Sequence, residues 1–242
     1  MRINTDGVHY KEVNQKIHQA VAAGASEIIL ENVRGQRYIG TGLGAGVSLE
    51  IRGVPGNDLA SFMNGAVITV RGNAQDAVGN TMNDGKVLIH GVAGDIVGYG
   101  MRGGKIFIAG DVGYRTGIHM KAYLDRYPVV VVGGCAQDYL GEYMAGGWLV
   151  VLNLEDKEPP VGYFTGTGMH GGLIFVRGEV KPHQVGAEVG LAEPTPGEWE
   201  FLSGVLAEYF QDLDLAPRSF QPGEFVKLYP KSARPYGNLY SY

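Results

Sequence analysis

VITVRGNAQDAVGNTMNDG, residues 67–85, runs directly into KVLIHGVAGDIVGYGMRGG, residues 86–104. The two stretches are copies of one 19-residue unit. Each opens on a short β-branched run, reaches Gly72 or Gly91, and passes through a polar turn to Gly79 or Gly98. Met82 or Met101 follows three residues later, and Gly85 or Gly104 three after that. The register extends both ways. Gly53, Gly72, Gly91, Gly110 and Gly134 are each followed ten residues on by a methionine, at Met63, Met82, Met101, Met120 and Met144. A sixth copy leads from Asn153 to Met169, and Leu43 takes the methionine's place in Gly40-x-x-Leu43-x-x-Gly46. Apart from Met1, every methionine of the chain sits at this one position. Self-similarity at a fixed period is the mark of a repeat architecture.

A short strand, a turn and a return of this length make one coil of a β-solenoid, in which each strand pairs with the next at about 4.8 Å. One coil cannot bury its own apolar face, whereas stacked coils make a continuous core. Methionine, flexible and apolar, suits an inward ladder at a bend. The glycines suit bends where φ is positive or where backbones approach too closely for a Cβ. Parallel strands joined by crossovers are overwhelmingly right-handed, and the six-residue spacing of a left-handed hexapeptide helix is absent. The expected fold is all-β, a right-handed parallel β-helix of about seven to eight coils with short helical caps at both ends. Strand runs begin near Glu27, Val47, Val67, Lys86, Lys105, Val129, Trp148 and Leu173.

The expected organisation is a helical cap over residues 1–25, the β-helix over 26–186, and a helix with an extended aromatic tail over 187–242. Val13, Ile17, Ala20 and Val21 fall at helical spacing ahead of Gly24, a C-terminal stop. Thr195-Pro196-Gly197-Glu198 reads as a capping box. Trp199, Leu202, Leu206, Tyr209 and Phe210 then lay an apolar stripe on a helix ending near Gln211, expected to pack on the last coil. From Leu213 onward the chain is rich in proline and aromatics, including Phe220, Phe225, Tyr229, Tyr236, Tyr240 and Tyr242, and shows no periodicity. Such a tail is expected to run extended over the solenoid or onto another subunit. Two coils are longer than the rest, with MKAYLDRYP inserted after Gly117 and EDKEPP after Asn153. Insertions in solenoids emerge as loops on one side and often mark a binding face.

Glycine numbers 39 of 242 residues, an excess that the repeat explains. A net charge of −5 argues against a nucleic-acid partner. The lone Cys135 excludes an internal disulfide framework or a cysteine-ligated iron–sulfur cluster held by this chain. There is no signal peptide, lipidation motif or apolar run long enough for a membrane helix. A cytoplasmic protein is expected.

Gly98-x-Gly100-x-x-Gly103 and Gly166-x-Gly168-x-x-Gly171 match the dinucleotide fingerprint, which must open a helix. Here each runs into another strand, so they read as by-products of the repeat. Asp76, Asp95 and Asp138 recur three residues before the turn glycine, with Asn57 at a matching place, and Tyr114 and Tyr163 interrupt the series. Stacked carboxylates could bind calcium or act as an acid–base pair in a sugar-active β-helix enzyme. Turn capping, with Asp accepting from backbone N–H groups two residues on, accounts for them more simply. His119 and His170 flank the methionine position without metal-ligand spacing, and no triad surrounds Cys135. No catalytic, cofactor-binding or metal-ligating residue is expected in this chain.

The blocks GNAQDAVGNTMNDGKVLIHG, GDIVGYGMRGGKIFIAGDVG, GGCAQDYLGEYMAGG and VGYFTGTGMHGGLIFVRG resemble the GXGXG domain, the C-terminal β-helix of the glutamate synthase large subunit. A related β-helix makes up one of the subunits of formylmethanofuran dehydrogenase. RYIGTGLG, GNDLASFMNGA, GIHMKAY and the tail PYGNLYSY are most similar to the split, archaeal-type glutamate synthase, in which each domain is a separate subunit. The resemblance implies a non-catalytic scaffold bracing a glutaminase subunit and an FMN-binding, iron–sulfur synthase subunit. FMN and the clusters would belong to those partners and not to this chain. The partner set would also admit a second copy of the chain, with neither nucleic acid nor membrane. A subunit of a formylmethanofuran dehydrogenase-like complex and one of a methylglutamate synthase are the alternatives.

Overall fold

The computed structural model describes residues 1–233, so the part of the aromatic tail holding Tyr236, Tyr240 and Tyr242 lies outside the described residues. The repeat becomes a ladder of parallel strands. β1 (Arg2–Asn4), β2 (Glu27–Arg34), β3 (Ser48–Val54), β4 (Asn64–Val70), β5 (Asp84–Ile89) and β6 (Lys105–Ile108) follow one another in the sheet. β7 (Val129–Val132), β8 (Ala145–Val151) and β9 (Gly171–Arg177) continue it. The unit's period sets the register, since equivalent residues pair. Leu49, Ile68, Val87, Ile106, Val130, Leu149 and Ile174 form one row, and Ile51, Val70, Ile89, Ile108, Val132, Val151 and Val176 another. Both rows point into the solenoid and are buried in its principal core. Met63, Met82, Met101, Met120, Met144 and Met169 line the same core at zero exposure, and Leu43 extends their row at 2%.

The parallel solenoid has about six turns. This is slightly fewer than the repeat suggests, because the end strands are closed by other elements and do not complete coils. At the start, α1 (Tyr10–Ala22) lays Val13, Ile17 and Ala20 over the open core, and β1 adds a rung ahead of the repeats. That rung was not legible, because RIN is too short to carry a period.

The other end differs from expectation. α2 (Pro196–Asp212) begins at the capping box, with Thr195 accepting from Glu198 N and Glu198 accepting from Thr195 N. It does not stopper the last coil. It crosses the outer face of β5–β9, where Leu202, Val205, Leu206, Tyr209 and Phe210 meet Leu88, Phe107, Val131, Val150 and Phe175 in a second core. The Tyr209 hydroxyl donates to the Ile108 carbonyl at 3.0 Å, and Lys86 and Lys105 both pair with Glu208. The last coil is sealed by two antiparallel strands. β11 (Phe225–Pro230) pairs with β9, and β10 (Val189–Ala192) pairs with β11. Part of the expected extended tail is therefore an integral strand.

The insertions leave from opposite ends of the strands, one ahead of β7 and the other after β8. In the first, which precedes β7, Tyr123 and Arg126 bond through their backbones, and Arg126 reaches Asn64 Oδ1 at 3.2 Å. The second follows β8. Asn153 folds it by bonding the backbone N–H and carbonyl of Lys157, whose ammonium reaches Asp111 at 2.9 Å. No helix among the described residues is long and apolar enough to cross a membrane.

Candidate interaction surface

The turn that follows each polar bend alternates in handedness. Ala77, Gly79 and Thr81 all have positive φ, at 60°, 70° and 53°. Alternation turns successive peptide groups up and down the stack. Ala77 N donates to Asp95 O and Thr81 N to Tyr99 O in the following coil, while Gly79 N donates to Leu59 O in the preceding one. The G-x-G spacing of Gly40-x-Gly42, Gly98-x-Gly100 and Gly166-x-Gly168 follows, since glycine takes a left-handed conformation at least cost. The turn glycines Gly79, Gly98, Gly117, Gly141 and Gly166 have φ between 67° and 76°. Both fingerprint matches lie in these turns and lead into β6 and β9, not into a helix.

Where the left-handed positions carry side chains, many are aromatic. Tyr38, Phe62, Tyr143 and Phe164 sit there with positive φ and are exposed, and His119 and Tyr139 take the same places in other coils. Stacked coils bring the rings together. Tyr143 lies flat on His119 at 5.3 Å, with Tyr99 edge-on to the same imidazole at 6.0 Å. Tyr139 stacks on Phe164 at 4.9 Å, and the Arg115 guanidinium covers its other face while pairing with Glu142 at 2.9 Å. The stacked rings of Tyr143 and Phe164 remain exposed. Tyr123, Leu124 and Tyr127 of the first insertion are also exposed. Rigid exposed aromatics are what protein interfaces use as anchors. This edge was missed in the sequence, although the aromatics recur at two fixed places of the repeat.

The repeated carboxylates have a different task from the one expected. Asp76 Oδ1 accepts from Asp95 N at 3.0 Å, Asp95 from Tyr114 N at 2.9 Å, and Asp138 from Tyr163 N at 2.8 Å. Each bond runs to the next coil and not to a residue two positions on, because stacking brings the equivalent N–H within reach. The series ends at Tyr114 and Tyr163, which donate a backbone N–H but have no carboxylate to accept one from the next coil. In Asn57's coil the neighbouring Asp58 accepts from Asn80 at 2.9 Å. Asn73 and Asp111 make the same inter-coil bond to Val92 N and Cys135 N. The residue whose N–H donates is preceded by glycine, Gly94, Gly113 or Gly162, for a steric reason. A Cβ on Gly94 would overlap the Asp76 carboxylate.

His119 belongs to the ring stack, and His170 approaches the Gly168 carbonyl at 3.2 Å. Cys135 is buried beside Asn153. Burial pushes its thiol up and Asp111 adds to the rise, which keeps it protonated and unreactive at neutral pH. Among the described residues, no group of three or more His, Cys, Asp or Glu is placed to hold a metal ion. The polar groups of the repeat serve the stack, and the surface it presents is aromatic.

A stack of coils closed by left-handed G-x-G turns defines a class, and comparison with known proteins agrees. The profile of the GXGXG motif family matches residues 9–210, and the chain belongs to that family. It is also 45% identical to Uncharacterized protein MJ1350 of Methanocaldococcus jannaschii, in a match covering 99% of this chain and 95% of the relative.

Proposed function

We propose that the chain is a non-catalytic structural subunit of a glutamate synthase-type complex, bracing a glutaminase subunit and an FMN-binding synthase subunit. Ammonia freed from glutamine must reach 2-oxoglutarate at a second centre, where the product is reduced, so a rigid brace between the two centres has chemical value. The observation that carries this reading is the GXGXG match along residues 9–210, which takes in the whole run of coils. Two features support it. The repeated carboxylates are committed to backbone N–H groups of neighbouring coils, which is a load on the fold and not on a substrate. The turn edge presents pre-stacked rings suited to docking. FMN and iron–sulfur clusters are assigned to the partners, and the setting is cytoplasmic.

Co-expression with the glutaminase and FMN-synthase subunits of neighbouring reading frames tests this. The tagged chain should carry both through purification. Truncating an aromatic anchor costs about 2 kcal/mol or more, so Tyr143→Ala with Phe164→Ala should weaken retention at least about tenfold. Failure of the unaltered chain to retain either subunit would overturn the reading.

A further inference from the structure

The N-terminal end of the sheet carries an unused strand edge. β1 stands last in the strand order, with Arg2, Ile3 and Asn4 opposite Ile29, Leu30 and Glu31. Ile29 N donates to Met1 O at 2.8 Å and Thr5 N to Glu31 O at 2.9 Å. In a parallel ladder alternate residues turn both peptide groups the same way. Met1, Ile3 and Thr5 therefore face β2, and Arg2 and Asn4 direct theirs outward. Neither residue's backbone N–H or C=O has a partner among the described residues, and both residues are exposed. Beside this edge runs a groove of about 860 Å³, walled by Lys16, Gln19 and Ala20 of α1 and by Ala23, Gly24 and Ala25 just after it. Unpaired edges of this kind attract strands.

We propose that β1 is a dimer seam, at which two copies of the chain pair antiparallel across a two-fold axis at Ile3 and join two solenoids end to end. With the axis there, Arg2 stands opposite Asn4 of the partner subunit. In an antiparallel hydrogen-bonded pair the two residues exchange both bonds, so every free peptide group on both edges is satisfied. The edge offers bonding residues only at Arg2 and Asn4, symmetric about Ile3, so its own copy matches it end for end. Each Arg2 side chain then lies beside an asparagine and not beside another arginine. The Met1 ammonium is held by Glu27 O at 2.7 Å, away from the seam. An isologous contact closes on itself and gives a dimer, not a fibre. The inference does not rest on the function proposed above.

Asn4→Pro removes the outward N–H and leaves the bonds to β2 intact. The Asn4 side chain accepts from Asp6 N and Asn32 Nδ2, so Asn4→Ala is the control that loses those contacts but keeps the backbone donor. Sedimentation at micromolar concentration should give a dimer for the unaltered protein and for Asn4→Ala, and a folded monomer for Asn4→Pro. Mixing Arg2→Cys chains with Asn4→Cys chains under mild oxidation should give a disulfide-linked pair, whereas neither variant alone should crosslink. This second assay stands even if Asn4→Pro fails to fold. A monomeric unaltered protein, a dimer indifferent to Asn4→Pro, or absence of the mixed crosslink would overturn the proposal.

Discussion

In the interior, each methionine fills the same corner of successive coils, and Met101 is fully buried there. Met101→Ala should cost about 2–5 kcal/mol, the range for deleting a buried side chain of this size, read from urea unfolding. A loss under about 1 kcal/mol would mean that the corner collapses around the gap. Gly98, at φ 70°, should resist a β-branched residue, so Gly98→Val should cost more than the roughly 1 kcal/mol of an ordinary glycine change. Ala60 holds the equivalent place in another coil at φ 60°, so Gly98→Ala should be milder. The Asp76 carboxylate and Gly94 form a coupled pair. Gly94→Ala should be strongly destabilising alone and less so in combination with Asp76→Ala, a coupling that a double-mutant cycle reads directly. The methionine and glycine positions were legible because stacking imposes identity at one register position. The reach of the aspartates was not, since a contact one coil away looks in sequence like local turn chemistry.

Among the elements, α2 is the one whose position sequence reading misplaced. The signal lay in the strands. Glu50 and Arg52 alternate with Leu49 and Ile51 in β3, an open outer face, whereas KIFI, VVVV and LIFV in the later strands are apolar on both faces. Strands buried on both faces require a cover, and α2 supplies it. The helix is latched by charge as well as packing. Partial burial alone would raise the Glu208 carboxyl, but Lys105 and Lys86 hold it below the ordinary range. A depressed folded value means stability that is present above the unfolded carboxylate pKa of about 4.3 and is lost as pH falls through the folded one. The groups are partly exposed, so Glu208→Gln should cost no more than about 1 kcal/mol at neutral pH. Unfolding curves of the two proteins should converge below the carboxylate range. An undiminished difference in acid would show that Glu208 acts through packing and not through charge. β11 was hidden for a simpler reason. FVKLYP lies beyond the last repeat, where no register points to it.

Across the whole molecule, the stack makes a rigid body whose repeated polar groups are spent on its own coils and whose turn edge is lined with braced aromatics. The repeat made the solenoid legible from β2 to β9, because one unit read once gives each of those rungs, while β1 and the closing strands lie outside it. Its surface was less legible, because an exposed ring obeys no burial pattern. The role proposed for such a body is to hold partner subunits in place. The most direct test measures glutamine-dependent glutamate synthesis by the glutaminase and FMN-synthase subunits together, with and without this chain. Each half-reaction should persist in its absence, glutamine hydrolysis by the one and ammonia-dependent synthesis by the other, while transfer of ammonia between them fails until the chain is added back. Coupled synthesis at the same rate without it would contradict the scaffold role.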